Sequence, residues 1–187
     1  MYYKTNFESP VGKLTIASDE TSIIGVWMEG QKYFGNTLPE NAVSCDEHPV
    51  LVTCRRWLEC YFAGEKPDVS ELSLAPIGSE FRQNVWKLLC EIPYGEVTTY
   101  GELGRKLAGK LGKKSMSAQA VGGAVGHNPI SIVIPCHRVV GADGSLTGYA
   151  GGIDKKIRLL ETEQVDTAQF YVPKKRKTQL IGTKHIS

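Results

Sequence analysis

The chain lacks the marks of a membrane or secreted protein. No apolar run in its 187 residues approaches the ~20 residues needed to cross a bilayer. The start, Met1-Tyr2-Tyr3-Lys4-Thr5-Asn6-Phe7-Glu8, has no apolar leader core. Five cysteines (45, 54, 60, 90 and 136) make an odd set with neither CxxC nor disulfide-framework spacing. Residues 1–44 contain no Cys and no His, so they offer no zinc ligands of those types. No internal repeat is present. These absences predict a reduced, cytoplasmic protein with no membrane partner, no metal and no cofactor.

What is present is an ordinary globular composition, 41% hydrophobic and 22% charged, long enough for one large or two small domains. The net charge of +2 is unevenly spread. Residues 1–78 hold 6 Lys/Arg against 11 Asp/Glu, whereas residues 79–187 hold 16 against 9. A net −5 half thus precedes a net +7 half, and the second suggests a polyanionic partner. Part of the excess is the run Lys174-Lys175-Arg176-Lys177, which reads as a solvated arm.

The first 30 residues read as β-structure. Lys13–Ser18 alternates, Ser22–Met28 is a further strand after the Asp19-Glu20-Thr21 turn, and Ser9-Pro10-Val11-Gly12 turns the first hairpin. A helix is predicted over 49–63, with Pro49 in its first turn, an apolar stripe through Val50, Cys54, Trp57, Leu58 and Tyr61, and Gly64 after its end. Residues 64–79, with Pro67, Pro76 and Gly78, read as a linker. The second half is mainly helical. Ser79 caps a helix over 80–91; Thr99 and Glu102 have capping-box spacing and open another to about Leu107; Ser117 caps a third over 118–126; a last one runs over 152–163. Two short helices joined by a Lys-rich turn suggest a helix-turn-helix. The division predicted is 1–78, 79–165 and a basic tail over 166–187.

The third of these helices is peculiar, because Gly122, Gly123 and Gly126 each cost about 1 kcal/mol relative to alanine. Either the glycines allow close packing against another helix, or they leave a smooth face for a narrow groove. Ser117, Ala118, Gln119, Ala120, Gly122 and Gly123 offer few side chains that read base edges, which suits binding without sequence preference, in the minor groove.

Residues 133–140 read Val-Ile-Pro-Cys-His-Arg-Val-Val, with Asn128-Pro129 upstream. Asn128-Pro129 should end the helix in a sharp reversal and hand the chain to an apolar, strand-like segment over 130–134. Two potential cations beside Cys136 should favour its thiolate, the form that attacks electrophilic carbon. In an extended segment Cys136 and His137 would point apart, so a water must bridge them. Glu163 or Glu161 could orient the imidazole. Arg138 reads as a structural ion pair rather than a phosphate contact.

Pro135-Cys136-His137-Arg138-Val139, with Asn128-Pro129 before it and Gly148-Tyr149-Ala150-Gly151-Gly152 after it, resembles the O6-alkylguanine-DNA alkyltransferase family, strongly over about 80–163 and more weakly over 1–78. The resemblance implies an α+β fold: an N-terminal sheet-plus-helix domain and a mainly helical, winged-helix-like C-terminal domain. It implies direct-reversal DNA repair by a monomer. One alkyl group passes irreversibly from O6-alkylguanine, with O4-alkylthymine a further candidate, in double-stranded DNA to Cys136 after base flipping. Carried over, Cys136 is the nucleophile, His137 its base through water, and Glu163 the orienting carboxylate. Asn128 braces the turn, and Tyr100 donates a proton to the guanine ring. The carbonyls of Cys136 and Val139 accept from the exocyclic amine, and the Ala150 amide contacts O6. Tyr149, Gly151 and Val125 line the pocket. One departure is Gln119, which stands where the family often places an arginine. The competing readings are a lesion sensor without repair and a thiol hydrolase; a redox cysteine would need a resolving partner that the spacing does not supply.

Overall fold

The computed structural model describes residues 1–174. Strands β1 (Tyr3–Ser9), β2 (Gly12–Ser18) and β3 (Ile23–Met28) form an antiparallel meander. A two-residue strand β4 (Val43–Ser44) pairs parallel with β1, giving the order β3-β2-β1-β4. Helix α1 (Pro49–Phe62) packs Leu51, Cys54, Trp57, Leu58 and Tyr61 onto one face of this sheet, as its apolar stripe requires. Its N-cap is His48, whose side chain accepts from the Val50 amide. The opposite face is covered by Trp27, which lies over Gly25; a Cβ there would sit 2.0 Å from the indole.

Helices α2 (Glu80–Leu89), α3 (Tyr100–Lys110) and α4 (Ala118–Gly126) pack together, with Ser79, Thr99 and Ser117 as side-chain N-caps. The capping box at α3 is half made. Thr99 accepts from the Glu102 amide, but the Glu102 carboxylate takes the Thr98 hydroxyl. Trp86 on α2 donates its indole N–H to the Ala124 carbonyl at 2.8 Å and so fixes the height of α4. Strands β5 (Thr98–Thr99) and β6 (Val139–Val140) form a short parallel pair, and α5 (Ile153–Thr162) closes the fold.

The exposed edge of β3 ties the two halves together. Residues of the predicted linker pair with it: the Ile23 amide donates to Ser73 and the Ala75 amide to Ile23. Further along the same edge, the Val26 amide donates to the Pro129 carbonyl at 2.9 Å and the Ser131 amide to Val26 at 3.0 Å. The segment that leads into Cys136 is therefore an annex of the N-terminal sheet.

One expectation needs correction. Residues 130–134 are not a strand: beyond the single bridge to Val26, the chain curls through Ile132, a β-branched residue at φ 73°, because Asn128 takes its backbone groups. The first residues of the basic tail stay against the fold. A 3-10 turn at Thr167–Gln169 returns the chain so that Tyr171 bridges Ser145 and its hydroxyl donates to Asp143. Of the basic run, Lys175, Arg176 and Lys177 lie outside the described residues.

Candidate active site

Residues Cys136–Arg138 form one 3-10 turn, not the extended segment expected. All three side chains are buried. Asn128 builds the approach. Its Oδ1 accepts from the Ile130 amide at 3.0 Å, and its Nδ2 donates to the Ile134 carbonyl at 2.8 Å and, longer, to Ile130 at 3.4 Å. This one amide holds the strained Ile132 in place from both sides. Asn128→Ala should leave buried backbone groups unpaired, at about 1–3 kcal/mol each. Thermal denaturation should show the loss, and an unchanged melting temperature would refute the bracing role.

Glu163 follows directly after α5 and is fully committed. Its Oε1 accepts from Arg138 Nε at 2.7 Å and from the Gly95 amide at 3.0 Å. Its Oε2 accepts from His137 Nε2 and from the Tyr61 hydroxyl. Burial would raise this carboxyl, but the hydrogen bonds and charges of His137 and Arg138 outweigh it and hold Glu163 at about 2. An ionised Glu163 fixes the hydrogen of neutral His137 on Nε2. Nδ1 is then the free base, and it has no partner among the described residues. Glu161 is exposed and takes no part.

The flanking cations do not activate the thiol as expected. Burial pushes the Cys136 thiol up, against the pull of the Asn128 amide and Lys156. Burial also pushes His137 down, toward the neutral form. Arg138 is spent on Glu163 and on the Ile92 carbonyl, 2.6 Å away. The resting site is thus a protonated thiol beside a neutral imidazole, which calls for base catalysis at the moment of reaction.

Lys156 was not legible in the sequence. It lies on the buried face of α5, where its Nζ donates to the carbonyls of Val139 at 2.6 Å and Thr147 at 3.2 Å. Burial, opposed by Cys136, brings it down to about 8, so it remains the nearby cation at neutral pH. A lysine one turn into an amphipathic helix looks like a solvated residue until the loop carbonyls close over it.

A cleft of about 410 Å³ lies between α4 and the 148–153 loop. It is lined by Gly122, Gly123, Gly126, His127, Gly148, Tyr149, Ala150, Gly152 and Ile153, with Lys32 and Tyr33 from the N-terminal half. The glycines of α4 are not packing devices: a Cβ on Gly122, Gly123 or Gly126 would meet nothing within 4 Å. Ser117, Ala118, Gln119 and Ala120 are exposed on the same helix. Tyr33 stacks on His127 at 4.0 Å, and the Lys32 amide donates to the Ala150 carbonyl at 2.9 Å. A Cβ on Gly151 would sit 2.7 Å from the Met28 sulfur and 3.0 Å from the Tyr149 ring, so a side chain there would require Met28 to move. Tyr149 and Tyr100 approach Cys136; burial, then Cys136, pushes Tyr100 up to about 12, so it stays a proton donor. The Val139 carbonyl already accepts from Lys156. Val125, Val139 and Gly151 do not line this cleft, and Val125 and Val139 are buried in the main core.

Among the described residues no three His, Cys, Asp or Glu side chains gather as metal ligands, and no helix is long and apolar enough to cross a membrane.

The sequence profile of the 6-O-methylguanine DNA methyltransferase DNA-binding domain matches residues 80–165, and that of the ribonuclease-like domain of the same proteins matches residues 1–76. The chain is 44% identical over 163 residues to a methylated-DNA–protein-cysteine methyltransferase of Haemophilus influenzae, covering 87% of each. It is also 44% identical to one from Methanosarcina acetivorans, covering 87% of this chain and 98% of that one. Among solved structures, the Mycobacterium tuberculosis O6-methylguanine methyltransferase superposes with a TM-score of 0.73 at 38% identity, over 91% of this chain and 96% of that one. A structure of the M. tuberculosis protein in complex with DNA superposes at 0.72, also at 38% identity, over 90% and 94%. Profiles spanning nearly the whole described chain and relatives matched over most of their length make this chain a member of the 6-O-methylguanine DNA methyltransferase family.

Proposed function

We propose that the protein repairs DNA by moving an alkyl group from O6 of guanine to the sulfur of Cys136, once per molecule. The observation that carries this is the buried line Cys136, His137, Glu163, with His137 Nδ1 lacking any partner among the described residues, beside a cleft walled by a bare helix face. The guanine leaves the stack and enters the cleft. The thiol proton passes through a water to His137 Nδ1, while Glu163 stabilises the imidazolium. The sulfur attacks the alkyl carbon, a C–S bond forms and the C–O bond breaks. The electron pair returns to the guanine, which takes a proton from the Tyr100 hydroxyl; solvent restores it. The thioether has no route back to thiol, so the reaction ends there.

In this reading 1–78 and 79–165 are the two domains, α3 and α4 act as the helix-turn-helix, and a cytoplasmic monomer binds the minor groove with little sequence preference. The α4 face through Ser117, Ala118, Gln119, Ala120, Gly122 and Gly123 lies on DNA. Tyr149 and Ala150 line the cleft that takes the base. The names of the relatives support the chemistry. The test is intact mass after mixing with a duplex carrying O6-methylguanine. One equivalent should add about 14 Da, a methyl in place of a proton, on the Cys136 peptide. Repeated turnover with no mass gain would instead support a hydrolase.

Gln119 is exposed at the start of α4 and brings no charge or guanidinium plane to the gap left by a flipped base. Gln119→Arg is expected to speed repair in duplex, with a smaller effect on free O6-benzylguanine; Gln119→Ala should slow the duplex reaction alone. Single-turnover kinetics on both substrates decide this, and equal effects would remove residue 119 from the flipping step.

A further inference from the structure

We infer that Tyr61, from the N-terminal half, is a positioning residue for the acceptor site, setting the basicity of the His137–Glu163 pair through its hydroxyl. The inference rests on the alkyl-transfer reading above and adds a residue to it. Tyr61 is fully buried on α1, and its hydroxyl donates to Glu163 Oε2 at 2.6 Å. The same oxygen accepts from His137 Nε2, so hydroxyl and imidazole compete for it. The hydroxyl also stands 3.5 Å from His137 Nε2.

The ring needs no hydroxyl to stay where it is. It stacks parallel to Trp57 at 5.8 Å and meets Phe62, Tyr94 and His137 edge-on at 5.0, 5.9 and 6.5 Å. A phenylalanine would fill the same space. A buried hydroxyl is costly unless bonded, and here its hydrogen bond goes to the carboxylate that orients the base. The sequence signal was absent, because Tyr61 reads as one more apolar residue in a helical stripe, 102 positions from Glu163.

The direction follows from the groups that face His137. Glu163 favours its imidazolium, whereas burial, Arg138 and Lys156 oppose it. Tyr61, Tyr94 and Tyr149 are neutral, and Cys136 is a neutral thiol until it reacts. By donating to Oε2, Tyr61 weakens that oxygen as an acceptor for His137. Without the hydroxyl the carboxylate binds the imidazole hydrogen more strongly, and the pair takes up a proton at higher pH. His137 must be neutral to accept the thiol proton, so reaction is lost at higher pH.

The experiment is single-turnover transfer from O6-methylguanine duplex as a function of pH, for wild type, Tyr61→Phe and Tyr61→3-fluorotyrosine. In Tyr61→Phe the acid limb should move to higher pH, so the rate should fall most on the acid side, where more of His137 is protonated. The fluorinated ring keeps shape and hydroxyl but donates more strongly, so its acid limb should move to lower pH. It also keeps the test open if the phenylalanine variant fails to fold. Folded variants whose acid limbs coincide with wild type would overturn the role of Tyr61 alone. No alkyl uptake by wild type at any pH would overturn the proposed function as well.

Discussion

Cys136→Ala is expected to abolish alkyl transfer, by more than about 10⁴-fold, while leaving duplex binding close to wild type. The remaining cysteines cannot substitute. Burial pushes Cys54 up to about 12 and Cys90 to about 11, and among the described residues no hydrogen bond joins either to a histidine. Cys60 is raised by its hydrogen bond to Glu65, then by burial and the charges of Glu65, Glu71 and Glu59. Cys45 is half-exposed, with no base bonded to it among the described residues. Binding should survive because the α4 face and the acceptor sulfur lie on different elements, α4 and the turn at Cys136–Arg138. Intact mass and a duplex titration on the same preparation check both halves. Methyl uptake by the variant on any cysteine would overturn the assignment of Cys136.

Glu163→Gln is expected to damage both fold and reaction. Its carboxylate collects donors from Arg138, Gly95, His137 and Tyr61, all inside the protein. The amide leaves the Arg138 guanidinium, bonded otherwise to the Ile92 carbonyl, as an uncompensated buried charge. Removing one partner of such a pair costs about 3–5 kcal/mol. At about 2–4 °C per kcal/mol, the melting temperature should drop by roughly 10 °C. Transfer should fall about 10²-fold, because His137 loses the anion that stabilises its protonated form. The pH dependence identifies the cause. A carboxyl held at about 2 in the fold and near 4.5 when unfolded stabilises fully above about pH 5 and loses that contribution as pH falls toward 2. Glu163→Gln should lack this acid-labile increment, so its stability deficit should shrink in acid. Burial lowers His137 as well, which adds a loss that begins below 6.5 in both proteins. A deficit constant from pH 7 to pH 3 would show that Glu163 matters for shape and not for charge.

Some of this was legible because it is local. A serine or threonine before a helix competes for free amides whatever surrounds it, and Ser79, Thr99 and Ser117 cap where their spacing says. The Asn128-Pro129 reversal rests on one side chain and the backbone around it. The glycines of α4 posed a question that the sequence leaves open, since packing and exposure both tolerate a missing Cβ. Only the open space above them decides it.

The strand reading of 130–134 failed for a related reason. An apolar run has the same composition whether its hydrogen bonds go to a neighbouring strand or, as here, to the Asn128 side chain and the β3 edge. The thiol was misread because charge adjacency along the chain is not charge adjacency in space. Arg138 turns to Glu163, burial holds His137 neutral, and the cation that acts on Cys136 is Lys156, twenty residues on.

The sequence by itself determined the helices, the serine and threonine caps of three of them, the hairpin strands and the turn before Cys136, since each follows from contacts within a few residues. The tertiary structure alone decided the protonation of the site, the buried Lys156 and the share of the N-terminal half. Burial and long-range hydrogen bonds set those, and neither Tyr61 on Glu163 nor Lys32 on Ala150 leaves a trace in spacing or periodicity.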